Sequence, residues 1–362
     1  MILVVKVGTS SITDDDGRLD REAIAKVCRE LAAARAAGHQ VVLVSSGAIA
    51  AGLPELGLSA RHRPKDARTL QAVSAVGQAR LMATYNECFD DIGGIVSGQV
   101  LLTADDFHNR STYVQARETL TRLLELGAIP IINENDTLAD DEIRYGDNDR
   151  IAALVAQLLG AELLVLLTDA PGLLTADPRI DAGASLIHDV LEFDHDLEAL
   201  AGGSGTNRGS GGMATKLGAA KIASWSGVRT VIARAARPQV VADAIAAVDG
   251  VGTIVWPADR RLPARKVWIA FAVASNGRLH IDAGAVRALR ADKSLLAPGI
   301  TAIEGEFSKH DGVEVFGPDG ELVAKGTVRV GSARLGERDR TGQGAAPHSR
   351  GVVIHKDDLV VF

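Results

Sequence analysis

The stretch Leu3-Val-Val-Lys-Val-Gly-Thr-Ser10 opens the chain with a short apolar run that ends in glycine and hydroxyl residues. The run predicts a buried strand over residues 3–7, and apolar residues at helical spacing predict a helix over residues 19–37. Gly38 can end this helix in the left-handed conformation, and residues 41–45 form the next predicted strand. A strand, a helix and a strand in this order predict two parallel strands joined by a right-handed crossover.

The same alternation of strands and helices continues to about Val255. Further helices are predicted at residues 67–90, 111–126, 150–159 and about 213–225, and further strands at residues 98–103, 128–133, 163–168, 229–233 and 253–256. Such units predict an α/β fold, a three-layer α/β/α sandwich with a mostly parallel sheet. In folds of this class ligands bind beyond the carboxyl ends of the strands.

The composition is that of an ordinary globular protein. The 362 residues are 46% hydrophobic and 23% charged with a net charge of −7, which argues against disorder and predicts about two domains. The longest apolar stretch, residues 151–167, is interrupted by Gln157, Gly160 and Glu162, so it is too short to span a membrane. The composition therefore predicts a protein without membrane-spanning segments.

The chain start and the cysteines predict a cytoplasmic protein. Met1 leads directly into the first predicted strand, with no basic segment or cleavage site of a signal peptide. Cys28 and Cys88 both lie in helical patterns, which argues against a disulfide framework or a zinc site. We therefore expect two buried thiols.

The sequence pattern changes near residues 257–265, where prolines and charges are typical of a linker. We predict a first domain over residues 1–258, a linker over 259–266 and a mostly β domain over 267–362. Its predicted strands cover residues 268–271, 278–281, 299–307, 312–315, 322–330 and 352–355, with a helix starting at 282–286.

From residue 264 onward there are 14 Lys+Arg and 12 Asp+Glu, without interleaved aromatic and basic residues, so the signature of nucleic-acid binding is weak.

Glycine, hydroxyl and amide residues follow four of the predicted strands. They form the segments Lys6-Val-Gly8, Ser45-Ser-Gly47, Asn133-Glu-Asn-Asp136 and Thr168-Asp169. Each segment alone could serve only as a turn, and Lys6 alone could point to solvent from an edge strand. All four segments are expected at the same edge of the sheet, and this shared position favours an anion site. In such a site Lys6 would contact phosphate, and the backbone at Gly8 could approach the phosphate closely.

A glycine-rich segment, residues 202–212, runs into a predicted helix that starts Met213-Ala-Thr-Lys216. Helix N-termini bind anions through free N–H groups and the helix dipole, so Thr215 and Lys216 are candidates for phosphate contact. The alternative is a flexible linker. The sequence contains no Walker A motif and no dinucleotide-binding Gly-x-Gly-x-x-Gly after the first strand.

An acidic cluster, Gly146-Asp-Asn-Asp149, precedes the predicted helix at residues 150–159. Asp and Asn are good N-caps, but capping needs only one such residue. Two lysines that neutralise phosphate charge, with carboxylates and amides that orient them or hold Mg²⁺, meet the needs of phosphoryl transfer. The residues predict a Mg²⁺-dependent phosphotransferase and leave its acceptor open.

Seven segments in fixed order carry a family resemblance: Lys6-Val-Gly-Thr-Ser10, Ser45-Ser-Gly-Ala-Ile-Ala-Ala-Gly52, Ile132-Asn-Glu-Asn-Asp136, Tyr145-Gly-Asp-Asn-Asp149, Leu167-Thr-Asp169, Gly172-Leu-Leu-Thr-Ala-Asp-Pro178 and Gly211-Gly-Met-Ala-Thr-Lys216. Together they resemble the glutamate 5-kinases of the amino acid kinase family. The C-terminal region resembles the PUA domain that many bacterial members carry. The resemblance implies transfer of the γ-phosphate of ATP to the γ-carboxylate of L-glutamate, giving L-glutamyl 5-phosphate in the first step of proline synthesis.

The resemblance also implies a role for each matching residue. Lys6 and Lys216 would stabilise the transferred phosphate, with Asp149 orienting them and Asp147 in the same catalytic cluster. Ser46, Asp136 and Asn148 would contact glutamate. The nucleotide site would consist of Lys6, Gly8, Thr168, Asp169, Ser210, Gly211, Gly212, Met213, Ala214, Thr215 and Lys216.

Further expectations follow from the resemblance. Mg²⁺ would bridge the ATP phosphates, with the contacting carboxylate undecided, and proline would inhibit through the segment 137–144. A homo-oligomer is expected, and a glutamyl phosphate reductase is a candidate partner. The alternatives are a kinase of N-acetylglutamate, aspartate, carbamate or uridylate, or a nucleic-acid-binding or regulatory protein acting through residues 265–362. For the PUA-like region we expect a structural or regulatory role rather than binding of nucleic acid.

Overall fold

The chain folds into two units, Met1–Arg261 and Leu262–Phe362. The computed structural model describes residues 1–138, 147–178, 180–181, 183–193, 197, 211–259, 261–336 and 351–362. The first unit carries all the described residues of the predicted phosphate site.

An eight-stranded sheet forms the centre of the first unit. Its strands are β1 (Ile2–Val7), β2 (Gln40–Ser45), β3 (Ser97–Leu102), β4 (Ile129–Glu134), β5 (Leu163–Thr168), β6 (Asp189–Val190), β7 (Arg229–Arg234) and β8 (Thr253–Val255). They lie in the order β3-β4-β2-β1-β5-β7-β8-β6, and every neighbouring pair is parallel except β7 and β8. The strands that carry the predicted site therefore end at one edge of the sheet.

Helices connect the strands of this sheet. Within the described residues they are α1 (Arg21–Ala36), α2 (Ala48–Glu55), α3 (Ala67–Asp90), α4 (Ala104–His108), α5 (Arg110–Glu125), α6 (Asp147–Leu159), α7 (Gly211–Trp225) and α8 (Val240–Ala246), with single 3-10 turns at Thr9–Ser11 and Ala60–His62. Side-chain caps fix where two of them begin. Asp20 accepts hydrogen bonds from the first backbone N–H groups of α1, and Asp66 does the same for α3.

The alternation of side chains along β1 assigns them to the two faces of the sheet. Leu3, Val5 and Val7 join a core that includes residues of α1 and α3. Lys6 therefore faces the opposite side, where α6 packs against β1. Helices cover both faces, and the predicted α/β/α fold class is confirmed.

Sequence patterns located most of these elements and missed others. Helix α3 and strand β5 have the predicted bounds. Helix α2 was not predicted; it begins at Ala48, shortly after β2, and its N-cap Gly47 has a φ of 108° that favours glycine. Helix α6 begins at Asp147, three residues before the predicted start, so Asp147, Asn148 and Asp149 lie in its first turn.

Two glycines allow an unusually close approach of α2 and α3. A Cβ atom at Gly52 would lie 2.0 Å from the carbonyl oxygen of Val73, and one at Gly77 would lie 1.8 Å from that of Ala48. No side chain fits at either position. The backbones of the two helices therefore touch, which brings the middle of α3 close to the end of β2.

The second unit is a small, mostly β domain. Its strands are β9 (Ser275–Ile281), β10 (Leu295–Leu296), β11 (Ile300–Gly305), β12 (Gly312–Phe316), β13 (Leu322–Thr327), β14 (Val352–Ile354) and β15 (Leu359–Val361). Five form a mixed sheet in the order β11-β9-β12-β13-β15, and β10 pairs with β14. The described helices are α9 (Ala264–Val267), α10 (Ala283–Arg290) and α11 (Ser332–Gly336), with 3-10 turns at Ala297–Gly299 and Lys356–Asp358.

The strand predicted at residues 268–271 is wrong. Trp268–Ala272 form a π-helical turn that continues from α9. Ile269 and Ala270 are buried in it. A short apolar run does not by itself distinguish a buried strand from a buried helical turn.

Cys28 on α1 and Cys88 on α3 are free thiols and both are buried, which confirms the prediction for them. Burial is the main cause that raises the pKa of both thiols. Among the helices of the described ranges, none has the length and apolar character needed to cross a membrane.

Candidate active site

Three charged side chains meet at the carboxyl edge of the large sheet. Lys6 near the end of β1 places its Nζ 2.6 Å from Asp149 Oδ1, and Lys216 on α7 places its Nζ 3.1 Å from Asp149 Oδ2. Lys6 is 4% exposed, Lys216 8% and Asp149 0%. We call these three residues the triad. Two predicted phosphate lysines thus share one buried carboxylate.

The first turn of α7 supports the triad from the other side. Thr215 Oγ1 donates to Asp149 Oδ2 at 2.9 Å, and Lys216 Nζ donates to the carbonyl oxygen of Gly212 at 3.1 Å. Met213 and Ala214 are half-buried and pack against an apolar cluster with Leu217. The start of α7 is therefore anchored to the sheet by both packing and hydrogen bonds.

Burial and opposite charges act against each other on the pKa values of Lys6 and Asp149. Burial lowers the pKa of Lys6, with the ammonium group of Lys216 acting in the same direction and the carboxylate of Asp149 opposing both. Burial alone would raise the pKa of Asp149, but the two lysines, with hydrogen bonds from Lys6 and Thr215, outweigh it and lower that pKa. Asp149 is thus an ionised carboxylate that holds two ammonium groups toward one point.

A chain of amides lies beside the triad. Asn148 Nδ2 donates to Ser46 Oγ at 3.1 Å and to Asn133 Oδ1 at 2.9 Å. The backbone N–H of Glu134 donates to Asn133 Oδ1 and Asn148 Oδ1, at 2.9 and 3.1 Å. Two of the three predicted glutamate contacts, Ser46 and Asn148, are therefore hydrogen-bonded to each other, and Asn148 is the chain neighbour of Asp149.

The third predicted glutamate contact, Asp136, lies just after β4. Ser74 on α3 donates to Asp136 Oδ2 at 2.5 Å. Burial raises the pKa of Asp136, while the hydrogen bond from Ser74 and the charge of Arg63 act against that rise. A cation bound at this carboxylate would favour its ionised form further.

The predicted nucleotide residues lie around the ends of β1 and β5, which are neighbouring strands. Thr168 ends β5, and its hydroxyl donates to Asp169 Oδ1 at 3.0 Å. A Cβ at Gly8 would lie 3.6 Å from Lys6 Nζ, so the backbone of Gly8 borders the triad. Gly211 and Gly212 start α7. Ser210 lies outside the described residues, and Asp147 is the first residue of α6.

Sequence reasoning missed three polar residues of α3 that contact the site. Ser74 bonds Asp136, Gln78 Oε1 accepts from Asn133 Nδ2 at 2.8 Å, and Tyr85 OH lies 2.7 Å from the hydroxyl of Ser45. All three are buried. The sequence does contain a signal for these residues, because they lie on the apolar face of a long helix. A polar side chain that is buried on such a face needs a hydrogen-bond partner.

The arrangement fits the handling of phosphate. Two ammonium groups held by one carboxylate, with a helix N-terminus and a glycine backbone beside them, can neutralise charge on a phosphoryl group in transfer. Within the described residues, no group of three or more His, Cys, Asp and Glu side chains could hold a metal ion. Asp149 is itself bound by the lysines.

Comparison with known proteins identifies two domains. The model of the amino acid kinase family matches residues 1–234, and the model of the PUA domain matches residues 277–347. A glutamate 5-kinase of Herpetosiphon aurantiacus is 44% identical over 100% of this chain and 98% of its own length. A glutamate 5-kinase of Burkholderia multivorans is 45% identical, over 99% of this chain and 97% of its own.

Solved structures share the fold of the first unit. The carbamate kinase from Giardia lamblia bound to AMP-PNP matches with a TM-score of 0.50 and 14% identity, over 70% of this chain and 98% of its own. At this identity the likeness concerns the fold alone.

We expect Asp149→Asn to lower the free energy of unfolding at neutral pH by about 3–5 kcal/mol, because two buried ammonium groups lose their shared partner. The pKa of Asp149 is lowered by folding, so its contribution should be complete above the unfolded value of about 3.9. The contribution should disappear as the pH falls through the folded pKa. Urea denaturation of wild type and variant over a series of pH values measures this difference.

Asp91→Asn is the matched control, because Asp91 forms an exposed ion pair with Arg21. We expect it to cost less than about 1 kcal/mol. Equal losses in the two variants, or a loss at Asp149 that does not change with pH, would contradict a buried and ionised triad.

Proposed function

Because this chain belongs to the amino acid kinase family, and within it to the glutamate 5-kinases, we propose that it phosphorylates L-glutamate with ATP. The products would be L-glutamyl 5-phosphate and ADP, in the first step of proline biosynthesis. The observation that carries the proposal is the triad, in which Asp149 holds Lys6 and Lys216 at the carboxyl edge of the sheet.

The triad would act on the charge of the transferred group. In phosphoryl transfer, negative charge spreads over the equatorial oxygens and the leaving oxygen. Lys6 and Lys216 are already buried and oriented, so they need little reorganisation when that charge develops. Asp149 touches both lysines and would position them.

The acceptor would be held by the residues beside the triad. Asp136 can accept from the α-ammonium group of glutamate and the Ser46 hydroxyl can donate to a carboxylate, with Asn148 as the neighbouring contact. The support for this assignment is that Ser46 and Asn148 are hydrogen-bonded to each other and that Asn148 directly precedes Asp149. The substrate would thus be held within reach of the triad.

The chemistry requires no general base. The γ-carboxylate of glutamate is already ionised at neutral pH, so an oxygen lone pair can attack the γ-phosphorus directly. The new carboxyl O–P bond forms while the bond from the γ-phosphorus to the bridging oxygen breaks, and that oxygen leaves with ADP. Catalysis would consist of positioning and charge stabilisation by the residues of this chain.

For the nucleotide, we propose contacts with the neighbouring ends of β1 and β5 and the start of α7. The residues are Gly8, Thr168, Asp169, Gly211, Gly212, Met213, Ala214 and Thr215, with Ser210 and the two lysines. Mg²⁺ bound to ATP would supply further neutralisation of the phosphates. Asp147 belongs to the proposed catalytic cluster through its place in the first turn of α6.

The proposal extends to the setting of the enzyme. We place the catalytic domain at residues 1–258, the linker at 259–266 and the PUA domain at 267–362. A homo-oligomer in the cytoplasm is proposed, where buried free thiols such as Cys28 and Cys88 are ordinary. Acyl phosphates hydrolyse readily, so a glutamyl phosphate reductase is the proposed consumer of the product.

A first experiment tests the acceptor. With MgATP and hydroxylamine, we expect acyl hydroxamate and ADP when L-glutamate is present. We expect neither with N-acetylglutamate, which lacks the free α-ammonium group that Asp136 would bind, nor with aspartate, whose side-chain carboxylate is one methylene closer to that group. Colorimetric detection of hydroxamate, with ADP release as a second readout, measures this. Formation of hydroxamate from N-acetylglutamate or aspartate would overturn the assignment. The absence of hydroxamate with all three acceptors would overturn it as well.

A pair of variants separates the proposed roles. Lys216→Met should lower kcat by about 100-fold or more with little change in the KM for glutamate, because its charge acts mainly in the transition state. Asp136→Asn should chiefly raise that KM, by about 10- to 100-fold, since it removes the partner of the α-ammonium group. Lys221→Met on the same helix is the control for Lys216. If Lys216→Met and Asp136→Asn both changed only the KM for glutamate, and by similar factors, the separate roles proposed for Lys216 and Asp136 would be contradicted.

We also propose that proline inhibits the enzyme through residues 137–144, of which 139–144 lie outside the described residues. The support is position, since Thr137 directly follows the proposed α-ammonium contact Asp136. Proline should lower the rate at limiting glutamate and lose effect at saturating glutamate. An unchanged rate across a titration from micromolar to millimolar proline would exclude this inhibition.

A further inference from the structure

Helix α3 presents a line of buried polar side chains to the ends of β2 and β4. Ser74, Gln78 and Tyr85 each contact a residue at or just after a strand end, namely Asp136, Asn133 and Ser45. Gly77 precedes Gln78 and lies against the backbone of α2 without room for a Cβ. Close packing thus holds Gln78 beneath the amide chain of the site.

Hydrogen bonds in the amide chain have a defined direction. Asn133 Nδ2 donates to Gln78 Oε1, so the oxygen end of the Asn133 amide points the other way and accepts from Asn148 Nδ2. Asn148 Nδ2 also donates to Ser46 Oγ. A hydroxyl has a single proton. Because Ser46 is an acceptor from Asn148, its proton is left to donate outward.

Two anchors fix this direction. The backbone N–H of Glu134 donates to Asn133 Oδ1 and Asn148 Oδ1, so the two side-chain oxygens both face this N–H group. Gln78 Oε1 holds the opposite, NH₂ end of Asn133 at 2.8 Å. With both ends held, the Asn133 amide cannot turn over.

Gln78 is paired through only one end of its amide. Gln78 is 8% exposed, and its Nε2 is buried without a hydrogen-bond partner among the described residues. A buried donor without a partner costs stability. The Oε1 end of the same amide accepts from the buried Nδ2 of Asn133, which would lose this acceptor if residue 78 were methionine. The function of the side chain therefore lies in its Oε1.

We propose that Gln78 is a positioning residue for the amino-acid substrate: by anchoring Asn133, it sets the direction of the chain through Asn148 so that the Ser46 hydroxyl donates to a carboxylate of the substrate. This inference rests on the proposed function, in which Ser46 contacts glutamate. It adds a residue of α3 that is separated from the substrate by the amides of Asn133 and Asn148 and the hydroxyl of Ser46.

Gln78→Met tests the proposal, because it keeps the length and removes the acceptor. The KM for L-glutamate should rise about tenfold, as for the loss of one oriented hydrogen bond. The KM for ATP and the kcat at saturating glutamate should stay near their wild-type values. The urea midpoint of unfolding should fall modestly, because Asn133 Nδ2 loses its buried acceptor. Gln115→Met, the same change at an exposed position of α5, is the control and should change none of these quantities.

A double-variant cycle with Ser46→Ala identifies the route of the effect. If Gln78 acts through Ser46, Gln78→Met should raise the KM far less in the Ser46→Ala background than in the wild type. Fully additive effects would overturn the proposal, as would an unchanged KM in Gln78→Met. A fall in kcat and in the unfolding midpoint without a selective rise in the KM for L-glutamate would assign Gln78 a merely structural role and overturn the proposal as well.

The same assay separates this inference from the function on which it rests. Wild-type protein that forms no hydroxamate from L-glutamate would overturn both. Wild-type turnover combined with an unchanged KM in Gln78→Met would overturn the role of Gln78 alone.

Discussion

The site depends on the ionised carboxylate of Asp149, which compensates two buried ammonium groups. Lys6 and Lys216 come from opposite ends of the catalytic unit's sequence, and neither could remain charged in a buried position without a partner. One carboxylate with an oxygen for each lysine meets both needs. The geometry of the lysines is therefore set by the first turn of α6 rather than by the flexible lysine side chains themselves.

The sheet brings these groups together because its central strands are parallel. Lys6 lies near the end of β1, and Ser46 directly follows the neighbouring strand β2. Thr168 is the last residue of β5, which pairs with the other side of β1. Parallel strands end at a shared edge, so residues far apart in sequence become neighbours there. The parallel sheet thus positions Lys6, Ser46 and Thr168 at one edge. Helices α6 and α7 add Asp149 and Lys216 there.

Sequence patterns were sufficient for the elements whose signal is local. The strands around Lys6 and Thr168 and the long helix α3 follow from apolar periodicity. The role of α3 in the site could not be read in this way, because Ser74 and Gln78 find their partners through a tertiary contact that Gly52 and Gly77 permit. The start of α6 was also missed, since Asp and Asn favour both a cap and a first helical turn.

The first turn of α6 connects the two halves of the proposed reaction. Asn148 belongs to the amide chain and Asp149 to the triad, and consecutive helical residues point about 100° apart. In the proposed reaction, one helical turn would therefore direct one side chain toward the acceptor and the next toward the phosphate. Because the backbone between them is helical, the acceptor side and the phosphate side keep a fixed spacing. An in-line transfer needs that spacing more than it needs any acid or base.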